Sequence, residues 1–277
     1  MVAGCASAQP ATMTPPAVSA APVIAAERAF AARAGVIGWI PAFREFTAPD
    51  GVMLQPGPVN EPKARARAGD DGGRSLQWWP GWAGVSRGGD FGFTTGPFVF
   101  GESDQVRGHY FTVWRRQPDG AWKWIFDAGV GVADADPIAR DADVPTLPIA
   151  TGGAASAAEA VAEVRELERR IALSRPPPNE TFARYLADDA RVNRRGRPSG
   201  AGAGARALAA ATPLNQAETL TAEAASAGDL VFTLGRARWH DGAAEREGHY
   251  ARIWQWRSEG WRIVFDELVP TPPAQAN

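Results

Sequence analysis

The chain repeats itself, and that constrains its fold more than any local pattern does. Residues 86–100, "SRGGDFGFTTGPFVF", align with 225–239, "ASAGDLVFTLGRARW". Gly89, Asp90, Phe93, Thr94 and Gly96 answer Gly228, Asp229, Phe232, Thr233 and Gly235 at an offset of 139. Gly108-His109-Tyr110 recurs as Gly248-His249-Tyr250 at 140, and Phe126-Asp127 as Phe265-Asp266 at 139. Upstream, Phe43, Phe46 and Asp50 answer Phe182, Tyr185 and Asp189, again at 139. Ordered blocks at near-constant spacing describe two copies of one domain, each of about 110 residues. The expected division is a tether at 1–22, a first domain at 23–133, a Pro/Asp/Gly-rich linker at 134–154, a second domain at 155–270 and a tail at 271–277.

Each copy begins with a helix, "VIAAERAFAARAG" or "AAEAVAEVRELERRIALS", in which apolar residues recur at three and four. A short second helix carries the Phe-x-x-Phe/Tyr pair, and "PDG" or "DDA" is expected to turn the chain out of it. Strands rich in Phe, Trp, Thr and Val follow and end in a long hairpin, turning at "QPDGA" in the first copy and "RSEG" in the second. Helices first and antiparallel strands after them make an α+β pattern.

This order, with its G-D-x-x-Y/F-T-x-G strand, G-x-Y-x-x-x-W strand and D-G-x-W hairpin, resembles the nuclear-transport-factor-2-like superfamily, in particular its SnoaL-like and functionally unassigned bacterial branches. The resemblance covers residues 23–132 and 155–269. It implies two tandem cone-shaped domains, each a curved antiparallel sheet wrapped around N-terminal helices, with a pocket at the open end and a tendency to pair through the sheets. The superfamily holds isomerases, dehydratases and cyclases as well as non-catalytic binders, so the fold leaves function open. The acidic base and phenolic donor of its isomerases have no clear counterparts here.

Strict alternation across "QPDGA" places Trp114 opposite Trp124, Thr112 opposite Phe126 and Tyr110 opposite Ala128 on one face of the hairpin. Val113 with Ile125, Phe111 with Asp127 and His109 with Gly129 then share the other. The second copy sorts alike, with Tyr250, Trp254, Trp261 and Phe265 against His249, Ile253, Val264 and Asp266. Large apolar groups on both faces call for cover on both. One face is expected to cover its own helices and the other to meet the second copy, giving an intrachain pseudo-dimer packed sheet to sheet.

On that reading His109 and Asp127 lie on one face, as do His249 and Asp266. An imidazole oriented by a carboxylate can do acid–base work near neutral pH. Equally, each pair can simply hydrogen-bond at a buried strand end. Trp78, Trp79, Trp82, Tyr110 and Tyr250 are candidates to line a ligand pocket, with core packing as the alternative for the tryptophans. Gly200, Gly202 and Gly204 in "PSGAGAGARALAAAT" lack the Lys-Ser/Thr of a phosphate-binding loop and read as a connection into a short helix. No HExxH, CxxC or carboxylate cluster suggests a metal, no cofactor is expected, and Asp188-Asp189 read as a turn.

With 45% hydrophobic and 22% charged residues and a net charge of -2, the composition is that of a folded chain without the basic footprint of a nucleic-acid binder. A single cysteine, Cys5, excludes an internal disulfide. Val2-Ala3-Gly4-Cys5 resembles a bacterial lipobox, and a Pro/Ala/Ser/Thr-rich tether follows it. The charged and apolar regions of a signal peptide do not precede it. A start lying upstream would make this an envelope lipoprotein on the periplasmic side, held to the membrane only by a lipid on Cys5; otherwise the chain is cytoplasmic.

Three functions fit: a non-catalytic binder of a small apolar or amphipathic molecule, a cofactor-independent isomerase or lyase using His109 with Asp127, and a structural or partner-binding module.

Overall fold

The computed structural model describes residues 17–54, 58–60, 75–101, 105–132, 138–174 and 178–271, with the backbone alone at 58–60 and 178–181. Cys5 and most of the expected tether lie outside the described residues, as does most of the tail.

Two helices, α1 (Ala21–Ile37) and α2 (Trp39–Phe46), precede β1 (Thr47–Leu54), β2 (Pro58–Asn60), β3 (Leu76–Trp78), β4 (Trp82–Val85), β5 (Phe91–Phe100), β6 (Gly108–Arg116) and β7 (Trp122–Gly131). These strands form one sheet in the order β2-β1-β7-β6-β5-β3, with β4 also on β5. Next come α3 (Ala157–Leu173), α4 (Pro178–Tyr185), β8 (Leu186–Arg194), β9 (Gly200–Ala201), α5 (Ala203–Ala211), β10 (Leu214–Ala224), β11 (Leu230–Asp241), β12 (Ala244–Arg257) and β13 (Gly260–Pro270). They form a second sheet, β10-β11-β12-β13-β8-β9. The molecule is thus a mixed α+β structure with two sheets.

Local chemistry explains the ends of the elements. Ser156 caps α3 by accepting the N–H of Glu159 at 3.1 Å, within a Ser-x-x-Glu box of a kind that contributes about 1 kcal/mol. The expected connection through the alternating glycines enters α5, with Gly202 at φ 53° before its first residue. The expected turns at "PDG" and "DDA" are not turns. Both stretches lie inside strands that pair in parallel with β7 and β13, and each is taken up by a register shift, between Thr47 and Val52 and between Leu186 and Arg191. Two or more extra residues can be absorbed by a bulge without leaving the sheet.

The hairpin register also departs from strict alternation. Trp114 does face Trp124, but Val113 then pairs with Phe126, leaving Ile125 as the extra residue of a bulge. Beyond it Thr112 pairs with Asp127, Phe111 with Ala128, Tyr110 with Gly129 and His109 with Val130. In β12–β13 the extra residue is Val264, so that Arg252 pairs with Asp266 and Ile253 with Phe265. A one-residue slip exchanges the faces of everything past it. Asp127 and Asp266 therefore share a face with Tyr110 and Tyr250, whereas His109 and His249 lie on the other.

The face away from the helices carries the contacts between the sheets. Phe111 stacks on Phe265 with centroids 4.1 Å apart, Phe126 lies 4.8 Å from Phe232, and Phe93 lies 6.3 Å from Phe265. Arg191 sits over the Trp82 ring at 4.8 Å, and Arg115 pairs with Glu223 at 2.7 Å. Two turns exchange hydrogen bonds: Asp229 accepts the N–H of Arg87 at 2.8 Å, and Asp90 accepts the N–H of Ser226 at 3.0 Å.

Candidate functional site

The helix-covered face of the first sheet is packed with rings around one carboxylate. On α1 the buried residues Val23, Glu27, Phe30 and Ala34 form a single stripe. Glu27 accepts the indole N–H of Trp78 at 2.6 Å, that of Trp114 at 3.0 Å, and the Thr94 hydroxyl. Burial pushes its carboxyl above the usual range, against the pull of those three donors. Phe30 meets Phe43 at 4.8 Å and Trp78 at 4.7 Å, and Phe43 meets Trp124 at 5.8 Å. Tyr110 is buried in the same layer, its phenol held far above its ordinary value by burial and by Glu27. The Thr112 hydroxyl donates to Asp127 at 2.7 Å.

The second sheet repeats the plan with a charge added. Ala160, Val164, Glu168 and Ile171 are the buried stripe of α3. Glu168 accepts from Thr233 and from Trp254 Nε1, each at 2.9 Å, as Glu27 does from Thr94 and Trp114. In place of Thr112 stands Arg252, which is fully buried and donates to both Glu168 and Asp266. Asp266 also takes Arg194 Nη2 at 2.6 Å. Burial raises the Asp266 carboxyl, but Arg194 and Arg252 more than offset this and hold it below the carboxylate range. The Tyr250 ring lies 3.9 Å from the Arg252 guanidinium, and its hydroxyl meets Thr219 Oγ1 at 2.7 Å.

The same face of the second sheet ends in a pocket. Arg194 pairs with Leu268 across β8–β13, Pro270 with Gly248 across β13–β12, and Arg246 with Trp239 across β12–β11. Strand alternation puts these groups on the side of Tyr250 and Arg252. With Thr212 at the end of α5 and the Arg195-Gly196-Arg197 turn after β8, they enclose about 440 Å³. That volume suits a small ligand, for which pockets of roughly 300–1,000 Å³ are usual. The Arg194 guanidinium is held at the pocket's edge by Thr212 at 2.7 Å and by Asp266. Arg197 is paired with Asp241 at 2.7 Å. Arg195 and Arg246 are exposed, and their guanidiniums have no partner among the described residues. A wider depression of about 640 Å³ runs along β10–β12 beside His249 and Leu173, but its lining sets two carboxylates, Glu218 and Glu247, against two guanidiniums, Arg236 and Arg238.

The histidines do not join their expected carboxylates. His109 lies on the face of Phe111 and Val113, and burial together with the nearby Arg191 charge lowers its pKa to about 4. His249 is lowered for the same reasons, burial and Arg236. The bulges at Ile125 and Val264 put Asp127 and Asp266 on the opposite side. An imidazole neutral at physiological pH and across the sheet from the carboxylate is not the acid–base pair that alternation suggested. Gly108 and Gly248 have a plain reason to recur: a Cβ there would come within 2.3 Å of the Val130 carbonyl oxygen and 2.1 Å of that of Val269. The five aromatic candidates are dispersed. Trp78 joins Glu27, Trp79 donates to the Ile138 carbonyl at 2.8 Å under Arg140, Trp82 meets Phe93 and Arg191, and Tyr110 and Tyr250 lie beneath the helices of different sheets. Asp188 and Asp189, expected in a turn, are exposed strand residues paired with Arg206 and Arg257.

Sequence reasoning did not single out the arginines of the pocket. The signal was "RVNRRGRP", four arginines between 191 and 197, too short to count as a basic run. Among the described residues no group of His, Cys, Asp and Glu is placed to hold a metal ion, and no helix is long and apolar enough to cross a membrane.

No family model and no curated protein matches this sequence. Solved structures do align with part of it. An NTF2-like protein of unknown function from Pseudomonas putida KT2440 is 17% identical over 40% of this chain and 87% of its own, with a TM-score of 0.32. An NTF2-like protein with a cystatin-like fold from Novosphingobium aromaticivorans is 19% identical over 43% of this chain and 86% of its own, with a TM-score of 0.30. An LEH-like epoxide hydrolase from Mycobacterium tuberculosis is 15% identical over 40% of this chain and 81% of its own, with a TM-score of 0.28.

Proposed function

We propose that this chain is a non-catalytic binder of a small amphipathic molecule, taken up by the second of two cone-shaped, nuclear-transport-factor-2-like domains. The pocket of about 440 Å³ that joins arginines to Trp239, Leu268 and Pro270 carries the reading. The first domain is the scaffold in this reading, because Trp78, Trp114, Trp124, Phe30 and Phe43 fill the space beneath its helices. The two copies form an intrachain pseudo-dimer. Reciprocity supports this: Asp90 reaches residue 226 while Asp229 reaches 87, and Phe93 meets Phe265 while Phe232 meets Phe126, which are the equivalent pairs. A two-fold interface makes each contact twice in this way. Attachment through a lipid on Cys5 belongs to the same reading and is testable by labelling cells with a fatty-acid analogue.

Native mass spectrometry of the full chain with eight-carbon amphipaths bearing neutral, anionic or cationic heads tests the function. A saturable one-to-one adduct with at least one of them, lost in Pro270→Trp, which puts an indole on the lining of this pocket alone, is expected. No adduct with any of them, or adducts indifferent to Pro270→Trp, would overturn it.

A further inference from the structure

We infer that the ligand's head is a single anionic group, a carboxylate or phosphate monoester, received by Arg195 and Arg246 while its apolar chain lies along Pro270 beside Trp239 and Leu268. This rests on the binding reading above and adds the chemical class.

The charges around the pocket do not cancel. Arg194 is matched by Asp266 and Arg197 by Asp241, each with a bond to one carboxylate. Arg195 and Arg246 remain, both lining the pocket and neither with a partner among the described residues. A chain of net charge -2 has thus gathered two uncompensated guanidiniums at one concavity. Guanidinium offers a planar fork of donors that fits carboxylate and phosphate oxygens, and here the forks come from two separate elements. Arg195 follows β8, in a turn whose Gly196 takes φ 75°, and Arg246 rises from β12 opposite Trp239. The Arg197–Asp241 pair ties that turn to the end of β11, which limits how far Arg195 can stray from the mouth.

The apolar side of the pocket lies on the other hand of these charges. Pro270 is half-buried at the cavity and forms its open apolar wall, with the buried Trp239 and Leu268 beside it. An inorganic anion would use the arginines and leave this wall wet. An alcohol would use the wall and leave two charges unanswered. A molecule with both parts satisfies both sets of groups.

Isothermal titration of the full chain with octanoate, octyl phosphate, 1-octanol and inorganic phosphate tests the inference. Octanoate or octyl phosphate is expected to bind at least about tenfold more tightly than 1-octanol or inorganic phosphate. Arg195→Gln combined with Arg246→Gln, at exposed positions, should lower affinity for the anionic amphipath about tenfold or more and leave 1-octanol unchanged. Raising salt should weaken the anion and spare the alcohol. Equal binding of octanol and octanoate, or anion binding untouched by the double variant, overturns the anionic head and leaves the binding reading standing. Phosphate binding as tightly as octyl phosphate overturns the inference, because the wall then adds nothing. Absence of binding by every amphipath overturns both.

Discussion

Asp229 accepts the backbone N–H of Arg87 at 2.8 Å from the opposite sheet, and Asp90 returns the contact to the N–H of Ser226. Asp229 is fully buried, and burial raises its carboxyl pKa against the hydrogen bond from Arg87. Asp229→Ala would strand a donor at the junction and is expected to cost about 1–3 kcal/mol, the range for an unmade buried hydrogen bond. Asp90→Ala, at a more exposed turn, should cost less. The two carboxylates repel each other, and each single variant relieves that repulsion whereas the double relieves it only once, so the double variant should lose more than the sum of the singles. Urea unfolding of the four proteins measures this, and strict additivity would argue against coupling of the turns.

Glu267 lies on the face between the sheets, bonded through Oε2 to Asn193 at 3.0 Å, and Asn193 reaches Thr95 of the first sheet at 3.4 Å. Burial lifts its pKa from 4.5 to about 8, outweighing Asn193 and the Arg194 charge. A carboxyl raised on folding favours the folded state below its unfolded pKa, and that advantage is lost as pH rises through the folded value. Glu267→Gln keeps the shape and removes the titration. The stability difference between the variant and the natural chain should open above about pH 4.5 and stop growing above about pH 8. Unfolding midpoints measured from pH 4 to 9 would reveal it, and a constant difference would contradict it.

His109 has the opposite sign. Its pKa falls to about 4 from 6.5 because burial and Arg191 both disfavour the cation. Its contribution is whole above pH 6.5 and is lost as pH falls toward 4. With only three histidines in the chain, the imidazole proton shifts can be followed one by one in NMR spectra. The His109 signal should stay constant from pH 8 to near 5, and a midpoint near 6.5 would show that the imidazole is solvated. His109→Leu should flatten part of the acid limb of stability.

The α+β class and the helix-then-strand order were legible because apolar spacing of three and four and runs of β-branched and aromatic residues act locally. The faces of the hairpin were not. One extra residue, Ile125 or Val264, turns the pairing over, and alternation carries no mark of where a bulge falls. The buried glutamates were missed for a related reason. Glu27 and Glu168 are 141 positions apart, out of step with the 139 and 140 of the strand residues they bond, and each reads as an ordinary polar residue on its helix until Thr94, Trp114, Thr233 and Trp254 close around it. The pocket arginines come from β8, the turn after it and β12, which only the sheet order brings together.

The difference between the two helix-covered faces gives the sharpest stability test. Arg252 stands where the first copy has Thr112, and it holds Glu168 and Asp266 together with no exposure to water. Arg252→Met would leave two carboxylates buried with one remaining guanidinium, Arg194, bonded to Asp266 alone. Breaking one side of a buried ion network typically costs about 3–5 kcal/mol, because the stranded charge stays desolvated. Adding Glu168→Gln to Arg252→Met removes the stranded charge, since Asp266 keeps its bond to Arg194, and should recover much of the loss. Thr112→Arg in the first copy is the converse. It would give Glu27 and Asp127 a shared cation, but in a layer already filled by Trp114, Trp124 and Phe30, so overpacking of about 1–3 kcal/mol should outweigh the pairing. Denaturant titration of these proteins decides the matter: equal losses in Arg252→Met and in Arg252→Met with Glu168→Gln would mean that packing, not charge, is what Arg252 contributes.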